Sequence, residues 1–392
     1  MQIIALLCLV LLPFAMAGCM GPVTLHKAVL GYDETISHLE REMLLLNIAR
    51  AHRNIPGHFT VTSSIAATFD YRTSAGFLGT FLESVPNEYG FNMGVSVAEN
   101  PTLSILPIQG EEFTKRILAP MDESKFLFLI FQGAPIDMVM RLMARGIEIQ
   151  NEDATFQRFI LNWPIHPKEY EEFRRRVLHL AWLNANRQLF IGRLYFQDWL
   201  RAKLPGPLSA EDLASALEKG HRWRQIAEDG TYELTKPTIG RVTITNYDPR
   251  TLTNSQLQAL NALAAVKPNN FLLVDIRPEH PGGDFPLFGG IKLRSLNEIL
   301  EFLAAGIDRT PEFDVDPAPC TGKVSPNPRS VLAVVIDEPT PPEVLRVSYA
   351  GHDYSIGNTP WDREAFKLLY QLFQMTVTEV KGVGAPLITI SK

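Results

Sequence analysis

The chain has 392 residues and a net charge of −6, a length that suits about two domains of roughly 100–200 residues and allows a sizeable core. Its 46% hydrophobic and 20% charged content is that of a folded globular protein rather than a disordered one. A mildly acidic chain without a long basic stripe lacks the clustered Lys and Arg that phosphate-backbone binding requires, so no nucleic-acid partner is expected.

The N-terminus carries the clearest signal. Ile3 to Ala17 is an apolar run interrupted only by Pro13, and it ends in Ala17-Gly18-Cys19. A short apolar segment followed by small residues is the layout of a secretory signal peptide, here residues 1–18. The Ala-Gly-Cys ending resembles the bacterial lipobox, which implies lipid on Cys19 after cleavage, with Ala17 and Gly18 at the processing site. Met16 stands where Leu is usual, and no Lys or Arg precedes the apolar run. Ala15-Met16-Ala17 also fits an ordinary A-x-A cleavage site, which would release a soluble protein beginning at Gly18. An uncleaved anchor would need ~20 apolar residues, more than this run holds. Met20 rather than Asp follows Cys19; by resemblance to Gram-negative lipoprotein sorting, this implies the outer membrane, periplasmic face. The remaining cysteines are Cys8, inside the leader, and Cys320. With lipid on Cys19, Cys320 has no intramolecular partner, and a chain of this length relies on its core instead.

A tether is expected at 19–31, then a unit at 32–107 made of one helix and a hairpin. Ile36, Leu39, Met43 and Leu46 repeat at three- and four-residue intervals, which predicts a helix over Asp33–Arg53. From Phe59 the pattern switches to period two. Phe59, Val61, Ile65, Phe69 and Tyr71 alternate with Thr60, Thr62, Ser64, Thr68, Asp70 and Arg72; Tyr89, Phe91, Met93, Val95 and Val97 then alternate with small or polar residues. Each run reads as a strand with one apolar and one polar face, joined through Thr73–Glu88. Both reach the ~9–11 residues of a membrane-crossing strand. An ordinary half-buried hairpin on a periplasmic sheet would show the same alternation.

A helical region is expected over 108–228. It comprises two helices within Gly110–Gln150, a long one from Pro167 to Leu200, and one started by Ser209-x-x-Asp212 and ended at Gly220. Over 229–392 strand and helix signals alternate, predicting a mixed α/β domain. Strands are expected at 232–234, 241–245, 271–276, 331–336, 345–350, 354–356 and 387–390. Thr253-x-x-Gln256, Ser295-x-x-Glu298 and Thr359-Pro360-x-Asp362 start helices. Thr310–Arg329, with five prolines, reads as a loop or linker. The overall expectation is an α+β fold.

Several segments, namely Leu44–Arg50 (LLLNIAR), Pro107–Phe113 (PIQGEEF), Leu293-Arg294-Ser295, and Val347-Ser348-Tyr349 through Ile388-Thr389, together resemble a family of poorly characterised Gram-negative envelope lipoproteins. The resemblance covers most of the mature chain, supports the lipid anchor, and implies no activity.

Chemistry-bearing patterns are sparse. Glu171, Glu172, Arg175 and Arg176 form i,i+4 pairs of a solvated helix face, with Arg174 completing a basic run. His352-Asp353 falls in a turn between strands, where sequence neighbours point to opposite faces. Asp275, Arg277 and His280 follow the end of a strand, a common site position in α/β proteins, without a nucleophile or metal-spaced partner. Gly282-Gly283 and Gly289-Gly290 lack a phosphate-loop ending and read as flexible loops. No cofactor or metal is implied, and the weak enzyme signal leans toward a non-enzyme. The expected function is a structural or assembly role in the envelope, with the lipid-anchored membrane and other envelope proteins or further copies of the chain as partners. Two alternatives stand beside it: an oligomeric outer-membrane channel or secretion component using the 59–98 hairpin, and a periplasmic enzyme or ligand-binding protein.

Overall fold

The computed structural model describes residues 20–79, 89–151, 153–226 and 230–377. The expected signal segment with Ala17, Gly18 and Cys19 lies outside the described residues, as does the strand expected at 387–390. The protein is α+β, and its contacts divide it into two units, one of Met1–Met43, His58–Ile108 and Val380–Lys392, the other of Leu44–Gly57 and Gln109–Glu379.

In the first unit, helix α1 (Met20–His52) contributes its residues up to Met43. The expected tether at 19–31 is therefore helical from Met20 onward. Pro22 sits in the first turn, where its missing N–H costs nothing, and the lone Gly31 weakens a long helix by only ~1 kcal/mol. The rest of the unit is a hairpin of β1 (Thr60–Gly79) and β2 (Tyr89–Pro107), of 20 and 19 residues. The strands pair antiparallel from Thr60 opposite Pro107 to Gly79 opposite Tyr89, with one bulge between Thr62 and Ser64. The connection starts later than the expected Thr73, because pairing continues to Gly79.

The second unit is built on a seven-stranded sheet. Its strands are β3 (Ala144–Gln150), β4 (Phe156–Leu161), β5 (Phe190–Pro205), β6 (Arg222–Gln225), β7 (Thr231–Thr245), β8 (Phe271–Ile276) and β9 (Leu287–Leu293). Their order is β4-β3-β9-β8-β7-β5, with β6 added on β7. β7 and β8 run parallel, and the other neighbours are antiparallel. The parallel pair needs a crossover, which α7 (Asn254–Ala265) supplies. Leu257, Leu260 and Ala264 of that helix close a core with Leu194, Phe196, Phe271 and Leu273.

Before and between these strands come α2 (Gly110–Phe113), a π-helical turn at Thr114–Leu118, α3 (Glu123–Phe131), α4 (Ile136–Met143), α5 (Pro167–Ala185) and α6 (Ala210–Glu218). After the sheet, α8 (Leu296–Asp308) and α9 (Pro360–Val377) enclose a small sheet of β10 (Val334–Ile336), β11 (Arg346–Tyr349) and β12 (His352–Ile356), ordered β10-β12-β11.

The expected boundary between a helical region and a mixed domain at 228/229 falls inside the large sheet, which draws strands from both sides. Ala144–Gln150 is a strand rather than a helix end. Every residue in it except Arg145 is buried, so the alternation that would mark a strand is erased. The long helix stops at Ala185 rather than Leu200. Arg187 adopts φ 59° there, and the run from Phe190 joins β7. The Gly289-Gly290 pair is not a loop but lies in β9, where it permits close strand approach. A Cβ on Gly289 would meet the Glu148 carbonyl at 1.9 Å, and one on Gly290 would meet the Phe271 ring at 2.2 Å.

Candidate functional site

The hairpin is the feature whose geometry points outside its own unit. β1 and β2 form a sheet of two strands, and no third described strand pairs with either. Beyond the bulge, odd-numbered residues of β1 stand opposite odd-numbered residues of β2, as in Tyr71 with Val97, Ala75 with Met93 and Phe77 with Phe91. The two sequence patterns are thus in phase beyond the bulge, where the positions singled out as apolar share one side of the ladder; Val61, opposite Leu106, lies before the bulge and falls on the other side, against the expected single face. Over the nine pairs from Tyr71–Val97 to Gly79–Tyr89, the odd side carries no charged residue. The next odd pair, Phe69 with Glu99, places a carboxylate at its boundary. Ile65 pairs with Leu103 nearer the base, while Phe59 precedes the ladder and is buried, with Val61 half-buried. Nine residues at about 3.3 Å each span roughly 27–30 Å along the strand.

Many charged groups of the second unit are, by contrast, paired within it, although a few buried polar atoms there, such as Asn162 Oδ1 and Gln197 Oε1, have no hydrogen-bond partner among the described residues. At the end of β8, the Asp275 carboxylate accepts from Tyr247 Oη at 2.7 Å and pairs with Arg277 at 2.8 Å. The Arg277 guanidinium lies 4.8 Å over the Tyr247 ring, and the His280 ring rests 4.9 Å from that ring. Asn246 accepts from Arg277 N and donates to the Arg277 carbonyl at 2.8 Å. Burial and the Asp275 hydrogen bond push the Tyr247 phenol well above its usual range. Asp275, Arg277 and His280 are thus brought together, as a brace that fastens the loop after β8.

Three polar clefts, of about 360, 310 and 350 Å³, lie elsewhere and are lined by other residues. The first contains Glu123, whose carboxylate is taken by Arg193 at 2.9 Å and Arg241 at 2.7 Å. His352 and Asp353 lie in β12 and not in the turn, which is Ala350-Gly351, and His352 turns away from Asp353: its Nδ1 lies 2.6 Å from Asp337 Oδ2, while Asp353 accepts from Ser348. The Asp353 N–H and the His352 ring hold the Asp337 carboxyl below its ordinary range.

The surface pairs of α5 form as expected, Arg175 with Glu171 at 2.7 Å and Arg176 with Glu172 at 3.0 Å. Arg174 does not belong with them. It is buried, paired with Asp137, and its Nη2 donates to Asn327 at 2.8 Å. Tyr170, Phe173, Arg174 and Val177 share the inward stripe of α5, and that i, i+3, i+4, i+7 spacing is the signal that could have placed it.

Arg174 is one part of a buried network. Arg141 Nη2 contacts Glu312 at 2.7 Å and the Arg329 carbonyl at 2.7 Å, and its Nη1 donates to the Pro328 carbonyl at 2.9 Å. Glu312 also accepts from Tyr170 Oη at 2.6 Å and Val331 N at 2.6 Å. Burial alone would raise the Glu312 carboxyl; the Arg141 charge and these donors outweigh it and hold it below its ordinary value. The proline-rich Thr310–Arg329 segment is therefore no linker: buried charge clamps it to α4 and α5. Arg294, fully buried, donates to the Arg141 and Leu142 carbonyls and lies 3.9 Å over the Phe302 ring.

Among the described residues, no group of three or more His, Cys, Asp or Glu is placed to hold a metal, and no helix is long and apolar enough to cross a membrane. Compared with protein-family models, curated proteins and solved structures, the chain matches none of them.

Proposed function

We propose that this chain is a lipid-anchored protein of the bacterial outer membrane, facing the periplasm, with an assembly role: its hairpin joins the hairpins of other copies in a closed barrel. The observation that carries this reading is the in-phase ladder of 20- and 19-residue strands standing as a sheet of its own. A lone two-stranded hairpin is marginal in water, and its outer N–H and C=O groups are a template for further strands. In a bilayer those groups must be satisfied, and only closure satisfies all of them. Two strands cannot close; the smallest barrels have ~8, so at least ~4 copies are required. The nine-residue span whose odd side is uncharged matches the lower end of the ~9–11 residues of a membrane strand. Lipid on Cys19, one residue before α1, would hold each copy at the surface, each buried CH₂ adding ~0.8 kcal/mol.

Native mass spectrometry of the detergent-extracted full chain tests this, with two neighbouring variants beside it. Thr73 lies on the uncharged side and Ser74 on the other. A lysine facing lipid at the midplane costs about 2–4 kcal/mol per copy, so Thr73→Lys abolishes the assembly and Ser74→Lys retains it. A monomeric wild type, or equal assembly of the two variants, overturns the reading.

A further inference from the structure

The even-numbered side of the ladder has its own chemistry. Between the two pairs that bound the uncharged stretch its residues are small or polar, among them Ser74, Gly76, Asn92, Gly94 and Ser96, with Leu78, opposite Gly90, as the one large apolar exception. Its charges are confined to the base end, where Arg72 stands opposite Ser96 and Asp70 opposite Ala98. Each copy therefore contributes one positive and one negative residue, two positions apart on the same side of one strand, and no other charge over this span. In a closed barrel, residues on the side away from lipid line the interior. Small side chains there leave space rather than fill it. At ~8 strands ordinary side chains fill a barrel interior, and at ~16–18 an aqueous channel remains, which corresponds to about eight or nine copies of a two-stranded hairpin.

Resting on the assembly reading above, we infer that the joined hairpins enclose a water-filled passage for small hydrophilic solutes of either charge, with Asp70 and Arg72 as its selectivity-setting residues. Adjacent rings of equal and opposite charge cancel at distances beyond their separation, so neither anions nor cations are favoured. Removing one ring leaves the other as a single-sign collar in a narrow path, the arrangement that confers ion selectivity.

The test is conductance of the purified full chain in planar phosphatidylethanolamine/phosphatidylglycerol bilayers under a tenfold KCl gradient, with native mass spectrometry of the same sample. Wild type is expected to conduct with a reversal potential near zero. Asp70→Asn shifts that potential toward the chloride equilibrium value, and Arg72→Gln shifts it toward the potassium value, with opposite signs. Both substitutions leave the uncharged side intact, so the ring on mass spectrometry is unchanged. An assembled ring that does not conduct overturns the passage while the assembly stands, and conducting variants that both reverse at the wild-type potential overturn the role of Asp70 and Arg72. A sample with no ring and no conductance overturns both.

Discussion

The two units of this chain treat their polar groups in opposite ways. In the second, buried charges find partners within the same fold: Glu312 takes Arg141, Tyr170 and the Val331 amide, and the Arg141 guanidinium also donates to two backbone carbonyls. In the first, two strands of 20 and 19 residues pair, among the described residues, only with each other, leaving two backbone edges for something beyond the unit. A satisfied network makes a rigid body and offers little to a ligand. An unsatisfied ladder is a poor stability element and a good assembly element. The difference teaches where to look for function: in the strands whose outer backbone edges no described strand covers.

The sharpest break of this contrast comes from the buried network. Glu312→Ala removes the nearer of the two carboxylates beside Arg141, leaving Asp137 at 3.8 Å, and takes the acceptor from Tyr170; it is expected to destabilise the second unit by about 3–5 kcal/mol. The denaturant midpoint reads this. In the same assay Thr73→Lys, which acts on assembly, should leave that midpoint within about 0.5 kcal/mol of wild type. A comparable loss from both variants would mean that the hairpin contributes to the stability of the second unit.

Acid sharpens the same point. The Glu312 carboxyl is held below its usual value in the folded protein, so its stabilisation is fully present above the unfolded value of ~4.3. As pH falls from there through the folded value, that stabilisation is lost, because the unfolded chain then binds the extra proton. Urea midpoints between pH 7 and pH 3 should fall more steeply for wild type than for Glu312→Gln. Parallel curves would show that Glu312 does not carry the acid sensitivity.

Smaller effects belong to single bonds. Tyr247→Phe removes one hydrogen bond to the buried Asp275 carboxylate, which keeps Arg277, and should cost about 1.5–3 kcal/mol without altering assembly. Ser295→Ala removes the cap of α8, whose Oγ accepts from the Glu298 N–H at 3.1 Å, and should cost ~1 kcal/mol. Thermal unfolding of the second unit ranks the two.

What could be read from the residues alone follows the range of the forces involved. The helix starts at Ser209, Thr253, Ser295 and Thr359 depend on a hydroxyl and an acceptor three residues apart, and all four caps are present. The hairpin strands were legible because apolar and polar residues alternate over most of Ile65–Phe77 and Tyr89–Val97. β3 was not, because the sheet buries both of its faces, and β9 was not, because its glycines answer to a neighbouring strand. Arg174 looked like a surface cation because its partners, Asp137 and Asn327, lie 37 and 153 residues away. Glu312 gave no signal at all, since Arg141 lies 171 residues before it. For the candidate site, the alternation of each strand was visible in sequence; that the two alternations lie in phase, in a sheet with no third described strand, needed the register.

The most direct test of the hairpin's role is a cysteine scan from Tyr71 to Gly79 in a Cys320→Ser background, labelled in intact membranes with a hydrophilic maleimide. The account predicts labelling of period two, with even-numbered positions reactive and odd-numbered positions protected by lipid. Uniform labelling along the strand, or protection of the even-numbered positions in place of the odd-numbered ones, would contradict it.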